Sequence, residues 1–209
     1  MTKALLVIDI QNDFCPGGAL AVAQGDQIIT RVNALMGQFD VVVATQDWHP
    51  ANHKSFASQH AYADPFSMME MPYGPQVLWP DHCIQGSEGA AFHKDLTLDK
   101  SDLIIRKGFR ADIDSYSAFY ENDKATPTGL AGYLNERGVT DVLLAGLATD
   151  FCVYYSAIDA IKQGFSATLL MDCCRAIDLE GSLNAAMEDM GNKGVAMMDS
   201  ADLPARSSV

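Results

Sequence analysis

Short apolar runs alternate along the chain with segments of helical period. Residues 4–9, 41–45, 103–106, 142–145, 167–171 and 195–198 read as strands. They are apolar throughout rather than every second residue, the pattern of strands covered on both faces. Helical segments fall between them: residues 26–38 (Ile28, Ile29, Val32 and Leu35 on one side), 128–137 (closed by Gly138) and 182–190. A further helix, capped by Thr149 or Asp150 and stopped at Gly164, carries Cys152 in its first turn. The alternation predicts parallel βαβ units, hence an α/β three-layer sandwich around a mostly parallel six-stranded sheet. Residues 48–101 break the rhythm. Rich in His, Pro, Gly and aromatic residues, they read as a long functional insertion in a single domain spanning 1–209.

Composition narrows the function classes. At 209 residues with 48% hydrophobic and 20% charged residues, the chain can bury a full core and shows no disorder signature. A net charge of −13 with only 14 Lys and Arg argues against a nucleic-acid partner. No apolar run approaches the ~20 residues of a membrane span, and no signal-peptide pattern opens the chain, so a cytoplasmic protein is expected. Five cysteines (Cys15, Cys83, Cys152, Cys173 and Cys174) are an odd number without regular spacing, which fits reduced thiols. The oligomeric state, monomer or homo-oligomer, is open.

Candidate chemistry follows from the strand ends, because open parallel sheets bind ligands at their carboxyl edge. The first strand ends at Asp9, the second runs out at Asp47-Trp48-His49, the third at Lys107, and the fourth leads through a turn to Cys152. Singly, Asp9 reads as a turn residue, Lys107 as a solvated strand end and Cys152 as a small core hydrophobe. Together they bring a thiol, a carboxylate and an ammonium to one edge, the parts of a nucleophile, a base and a charge stabiliser. A helix start should also favour the Cys152 thiolate and an adjacent oxyanion. A second cluster, Asp47 and His49 with His53 and the downstream His82, offers a carboxylate and imidazoles suited to zinc, iron or manganese. At i, i+2 in an extended segment, Asp47 and His49 point the same way. His60 and His93 read as surface residues.

These residues lie within ordered motifs: Ala4-Leu-Leu-Val-Ile-Asp9-Ile-Gln-Asn-Asp-Phe14, Thr45-Gln-Asp47-Trp-His49-Pro, Trp79-Pro-Asp-His82-Cys, Arg106-Lys107-Gly and Gly146-Leu-Ala-Thr-Asp-Phe-Cys152-Val. Over nearly its whole length the chain resembles the nicotinamidase/pyrazinamidase branch of the isochorismatase-like cysteine hydrolases. The resemblance implies a Rossmann-like hydrolase fold and an Asp9, Lys107 and Cys152 catalytic triad. It implies one divalent metal, zinc before iron or manganese, on Asp47, His49 and His82, with His53 a candidate further ligand. It also implies a cis Leu147–Ala148 bond, an oxyanion hole from the Ala148 and Cys152 N–H groups, and substrate contacts from Phe14, Trp79 and Leu147. The implied reaction is hydrolysis of nicotinamide or pyrazinamide through a cysteine thioester, in NAD salvage. Asp81 and Tyr116 are near the site by sequence, without an assigned role. Cys152 disfavours an isochorismate-type hydrolase, and the metal cluster disfavours carbamoyl amidases. A thiol-based sensor has no use for Asp9 and Lys107 at neighbouring strand ends.

Overall fold

The computed structural model describes residues 2–204. In chain order the regular elements are β1 (Thr2–Ile8), α1 (Ile29–Met36), β2 (Val41–Asp47), β3 (Met68–Met71), β4 (Gly74–Val77), β5 (Leu103–Lys107), α2 (Leu130–Glu136), β6 (Val139–Leu147), α3 (Tyr154–Lys162), β7 (Ser166–Arg175), α4 (Ser182–Asn192) and β8 (Ala196–Met198). Six strands form one sheet in the order β5-β2-β1-β6-β7-β8, every pairing parallel. The chain leaves β1 first toward β5 and later toward β8. The strand order therefore reverses between β1 and β6, and the crevice at their carboxyl ends is where such sheets take ligands.

Successive strand side chains face opposite sides, so each apolar run feeds two cores. Leu5, Val7, Val42, Ala44, Leu143 and Ala145 pack with Val32, Leu35 and Met36 of α1. Leu6, Ile8, Val43, Val142 and Leu144 pack on the other face with Leu130 and Leu134 of α2, Ala157 and Ile158 of α3, and Met190 of α4. With 8 residues, α1 is too short to be stable alone. Burial of its apolar stripe, at about 2 kcal/mol per fully buried large side chain, holds it in place.

The strands run past their apolar segments. β2 reaches Asp47, β5 reaches Lys107 and β7 continues to Arg175, because ladder pairing goes on where hydrophobicity stops: Asp47 pairs with Lys107 and Leu147 with Arg175. β1 instead stops at Ile8, and Asp9 turns out of it with φ +47°. The expected cap at Thr149 or Asp150 is not formed. Residues Thr149–Val153 make a π-helical turn leading into α3, with no side-chain cap. The Asp150 carboxylate instead accepts from the N–H groups of Ile177 (3.0 Å) and Asp178 (2.8 Å) and from the Ser182 hydroxyl, tying the turn to the start of α4. The 48–101 insertion carries regular structure of its own, since β3 and β4 form an antiparallel hairpin within it. All five cysteines are buried and free. Among the described residues no helix is long and apolar enough to cross a membrane.

The central β1–β6 pair depends on Gly146. Its φ is +133°, and a Cβ there would lie 2.1 Å from the Ile8 carbonyl oxygen. Gly146→Ala should therefore cost on the order of 3 kcal/mol in urea unfolding; a loss below ~1 kcal/mol would show that this strand pair can yield.

Candidate active site

The register of β2 and β5 sets Asp47 beside Lys107, both fully enclosed at the sheet's carboxyl edge. The Lys107 ammonium lies 2.5 Å from Asp47 Oδ1 and 2.8 Å from Asp9 Oδ2, donates to the Ser115 carbonyl (2.9 Å) and reaches Cys152 Sγ at 3.4 Å. The contact with Asp9 Oδ2 is an ion pair out of line for a hydrogen bond, so that oxygen keeps its acceptor capacity. Asp9 Oδ1 is fixed by the Thr45 hydroxyl at 2.6 Å, which also accepts from the Asp9 N–H. Acceptor oxygens of Asp9 and Asp47 and the Cys152 sulfur all lie within 4.8 Å of one another. Thr45 had no signal of its own, reading only as part of an apolar strand.

Burial and this one cation assign opposite states to the two carboxylates. Burial raises Asp9 to about 6, with Lys107 pulling against it and Asp47 adding to the rise. Burial also opposes charge on Asp47, but Lys107 and His49 outweigh it and hold that carboxyl well below the usual range. Burial pushes the Cys152 thiol well above its ordinary value; Lys107 draws it down and the two carboxylates raise it again. This corrects the expectation of a resting thiolate. Desolvation dominates the turn's dipole, so Cys152 rests as a thiol close to the Asp9 carboxylate.

Asp47 and His49, which the i, i+2 spacing points the same way, converge with His82, the third residue that the resemblance implied. Their ligand atoms lie within 4.8 Å of one another, with His49 Nε2 at 3.6 Å and His82 Nε2 at 4.0 Å from Asp47 Oδ2. His49 Nδ1 bonds the Gly108 carbonyl and His82 Nδ1 the Pro80 carbonyl, each at 2.8 Å. A carbonyl only accepts, so both rings carry hydrogen on Nδ1 and turn Nε2, the nitrogen available to a metal, toward Asp47. Burial drives His82 down to about 4 and keeps it neutral; on His49 burial is outweighed by Asp47, which draws positive charge to that point. Two imidazole nitrogens and a carboxylate oxygen fit a divalent transition-metal ion. Gly108, at φ +66°, is required here, since a Cβ would meet His49 Cε1 at 2.4 Å. Gln11 clamps Asp47 by its backbone, accepting from the N–H (2.8 Å) and donating to the carbonyl (2.9 Å).

His53 stands beside this group rather than in it. Its ring is 4.4 Å from that of His49, but Nδ1 accepts from the Ser55 N–H (3.2 Å) and Nε2 faces the Ile113 carbonyl (3.3 Å), so both nitrogens are engaged. With His49 and Asp114 it forms a second close set.

A cleft of about 320 Å³, open mouth included, joins the two groups, lined by Cys152, Ala148, Asp47 and His82 with Phe14, Leu20, Trp79, Tyr116, Phe151, Ile177 and Asp114. Phe14 and Trp79 both line this cleft. Leu147 does not: its side chain is fully buried in the core, against Gly25. The Leu147–Ala148 bond is cis, as the resemblance implied. Asp114 and Phe151 were missed, one in an irregular loop and the other hidden among apolar helix residues.

A family model, the isochorismatase domain, matches residues 3–202. The chain belongs to the isochorismatase family. Within it, the chain is 54% identical over 200 residues to a nicotinamidase of Acinetobacter baylyi, covering 96% of this chain and 94% of that protein. The solved structure of an Acinetobacter baumanii nicotinamidase/pyrazinamidase matches at TM-score 0.96 and 55% identity, over 97% and 98% of the two chains. A Pyrococcus horikoshii pyrazinamidase solved in complex with zinc matches at TM-score 0.76 and 37% identity, over 95% and 99%.

For this isochorismatase-family site the sign of the pH effect follows from Asp9. A base must be ionised, so kcat/KM should rise with pH through an apparent pKa of about 6 and fall about tenfold per unit below it. A pH–rate profile flat down to pH 4.5 would remove Asp9 as the base.

Proposed function

We propose that this enzyme hydrolyses nicotinamide to nicotinate and ammonia, and pyrazinamide likewise, the first reaction serving NAD salvage. The observation that carries the reading is one cleft in which Cys152, beside Asp9 and Lys107, shares a wall with the Asp47 and His82 donors, between Phe14 and Trp79. Such a cleft suits a flat ring bearing a nitrogen donor and a carboxamide. High identity to a nicotinamidase supports the same substrate.

Asp9 takes the Cys152 proton as sulfur attacks the carboxamide carbon, and the N–H groups of Ala148 and Cys152 receive the oxyanion. Protonated Asp9 then gives its proton to the amide nitrogen, ammonia leaves, and a thioester remains. Asp9 next takes a proton from water as the oxygen attacks the thioester; collapse releases nicotinic acid, which gives up its proton to solvent or to the departed ammonia to become nicotinate, and the sulfur recovers its proton from Asp9. Lys107 stays charged throughout, keeping Asp9 ionised at neutral pH and offsetting the negative charge that forms on sulfur. A divalent ion held by Asp47, His49 and His82, zinc in this reading with iron or manganese as alternatives, would supply a Lewis-acid position for the ring nitrogen. Phe14 and Trp79 would flank the ring and exclude water from the thiol.

Purified Cys152→Ala should release no ammonia from nicotinamide while retaining metal; full activity would eliminate the nucleophile. Asp9→Asn should lower kcat about a thousandfold, measured by the same assay. Chelation should abolish turnover and zinc add-back restore it, whereas turnover independent of metal content would separate the ion from substrate binding.

A further inference from the structure

The β3–β4 hairpin sits outside the main sheet, with Met68 exposed on it, yet β4 sends one side chain fully inward: Gln76, 1% exposed. A buried amide is costly unless its groups are matched. Here they are. Gln76 Oε1 accepts from Asn122 Nδ2 (3.0 Å) and the Tyr73 hydroxyl (3.3 Å), while Nε2 meets the Tyr116 oxygen (2.7 Å), Asp114 Oδ2 (2.8 Å) and the Val77 carbonyl (2.8 Å). A carboxylate and a carbonyl can only accept, so the orientation of the amide is fixed by its surroundings. The Tyr116 oxygen also receives the Trp79 Nε1–H at 3.0 Å, and Trp79 packs edge-on to Phe151 with ring centroids 4.9 Å apart. Asp114 Oδ1 accepts the Ser115 N–H (2.8 Å), and the carbonyl of Ser115 holds Lys107 (2.9 Å).

We propose that Gln76 is a positioning residue for substrate capture: through Tyr116 it fixes the Trp79 indole as the wall on which the substrate ring rests. It does not touch the reacting atoms. Deleting its amide removes the support behind Tyr116 and Trp79, so the bound ring loses a preformed face; Ser115 is held through the other Asp114 oxygen, Oδ1, so its carbonyl still holds Lys107, and Cys152, Asp9 and Lys107 keep their mutual contacts. The cost falls on KM rather than kcat. The hairpin thereby acquires a task, carrying one polar hub to the back of the aromatic wall. This inference rests on the proposed carboxamide hydrolysis.

The test compares wild type, Gln76→Leu, Tyr116→Phe and the double variant in ammonia release from nicotinamide. Gln76→Leu should raise KM about tenfold with kcat within about threefold, and add little in the Tyr116→Phe background, because both changes break one path. A kcat loss at constant KM, or independent effects in the double variant, overturns the proposal. The chain has 2 tryptophans, so in a Trp48→Phe background indole fluorescence reports Trp79 alone. Gln76→Leu should then shift its emission and increase acrylamide quenching, and unchanged emission counts against the positioning role even if wild type released no ammonia. Should Gln76→Leu not fold, Asn122→Ala, which removes one donor to the amide oxygen and the acceptor of the Tyr116 N–H, loosens the same path at both points and should raise KM in the same direction; no rise overturns the proposal.

Discussion

A single buried ammonium organises this site. Lys107 has no exposed side-chain surface and lies within 2.8 Å of two carboxylates, Asp9 and Asp47. Placing an ion there costs several kcal/mol of desolvation, which only close opposite charges and hydrogen bonds offset. The two carboxylates use the cation unequally. Asp47 sits closer to it and has two imidazoles nearby, so it stays an anion suited to a metal. Asp9, as deeply buried but without imidazole neighbours and facing the charge of Asp47, is left near neutrality, where a proton can be taken and returned.

The fold delivers that arrangement by pairing rather than by loop plasticity. Parallel register aligns Asp47 with Lys107 at the ends of β2 and β5, and Ile8 with Gly146 on β1 and β6, one residue before Asp9. The reactive cysteine follows β6 through a short turn, held from below by Asp150 and the start of α4. Three strand ends and one turn therefore converge on the point where the sheet reverses its winding direction. The insertion adds His82, Trp79 and the hairpin, so one segment supplies both an imidazole of the Asp47 cluster and an aromatic wall of the cleft.

Much of this was legible because the chemistry sits where periodicity stops. The six apolar runs located the strands, and the polar residues at their ends, Asp9, Asp47, Lys107 and Cys152, gave the site. What the pattern could not show was pairing beyond the apolar segments, as in β7 out to Arg175, since ladder hydrogen bonds are indifferent to side-chain polarity. Nor could it show hydrogen-bonded supports such as Thr45, Gln11 and Gln76, which reach Asp9, Ala90 and Asp114 across 36 to 79 residues of chain. Asp150 looked like a helix cap because its residue type and place suited one, but its carboxylate is committed to the α4 loop. Leu147 adjoins a functional turn in sequence, yet strand alternation sends its side chain into the core.

The claim that Lys107 sets the protonation of Asp9 is tested most directly by the kcat/KM–pH profile of Lys107→Met, a swap of similar length that removes the cation. Burial and Asp47 would then act on Asp9 against the Thr45 hydrogen bond alone, so the acid limb should move well above 6 with activity at neutral pH sharply reduced. A limb that stays at about 6 would contradict the account.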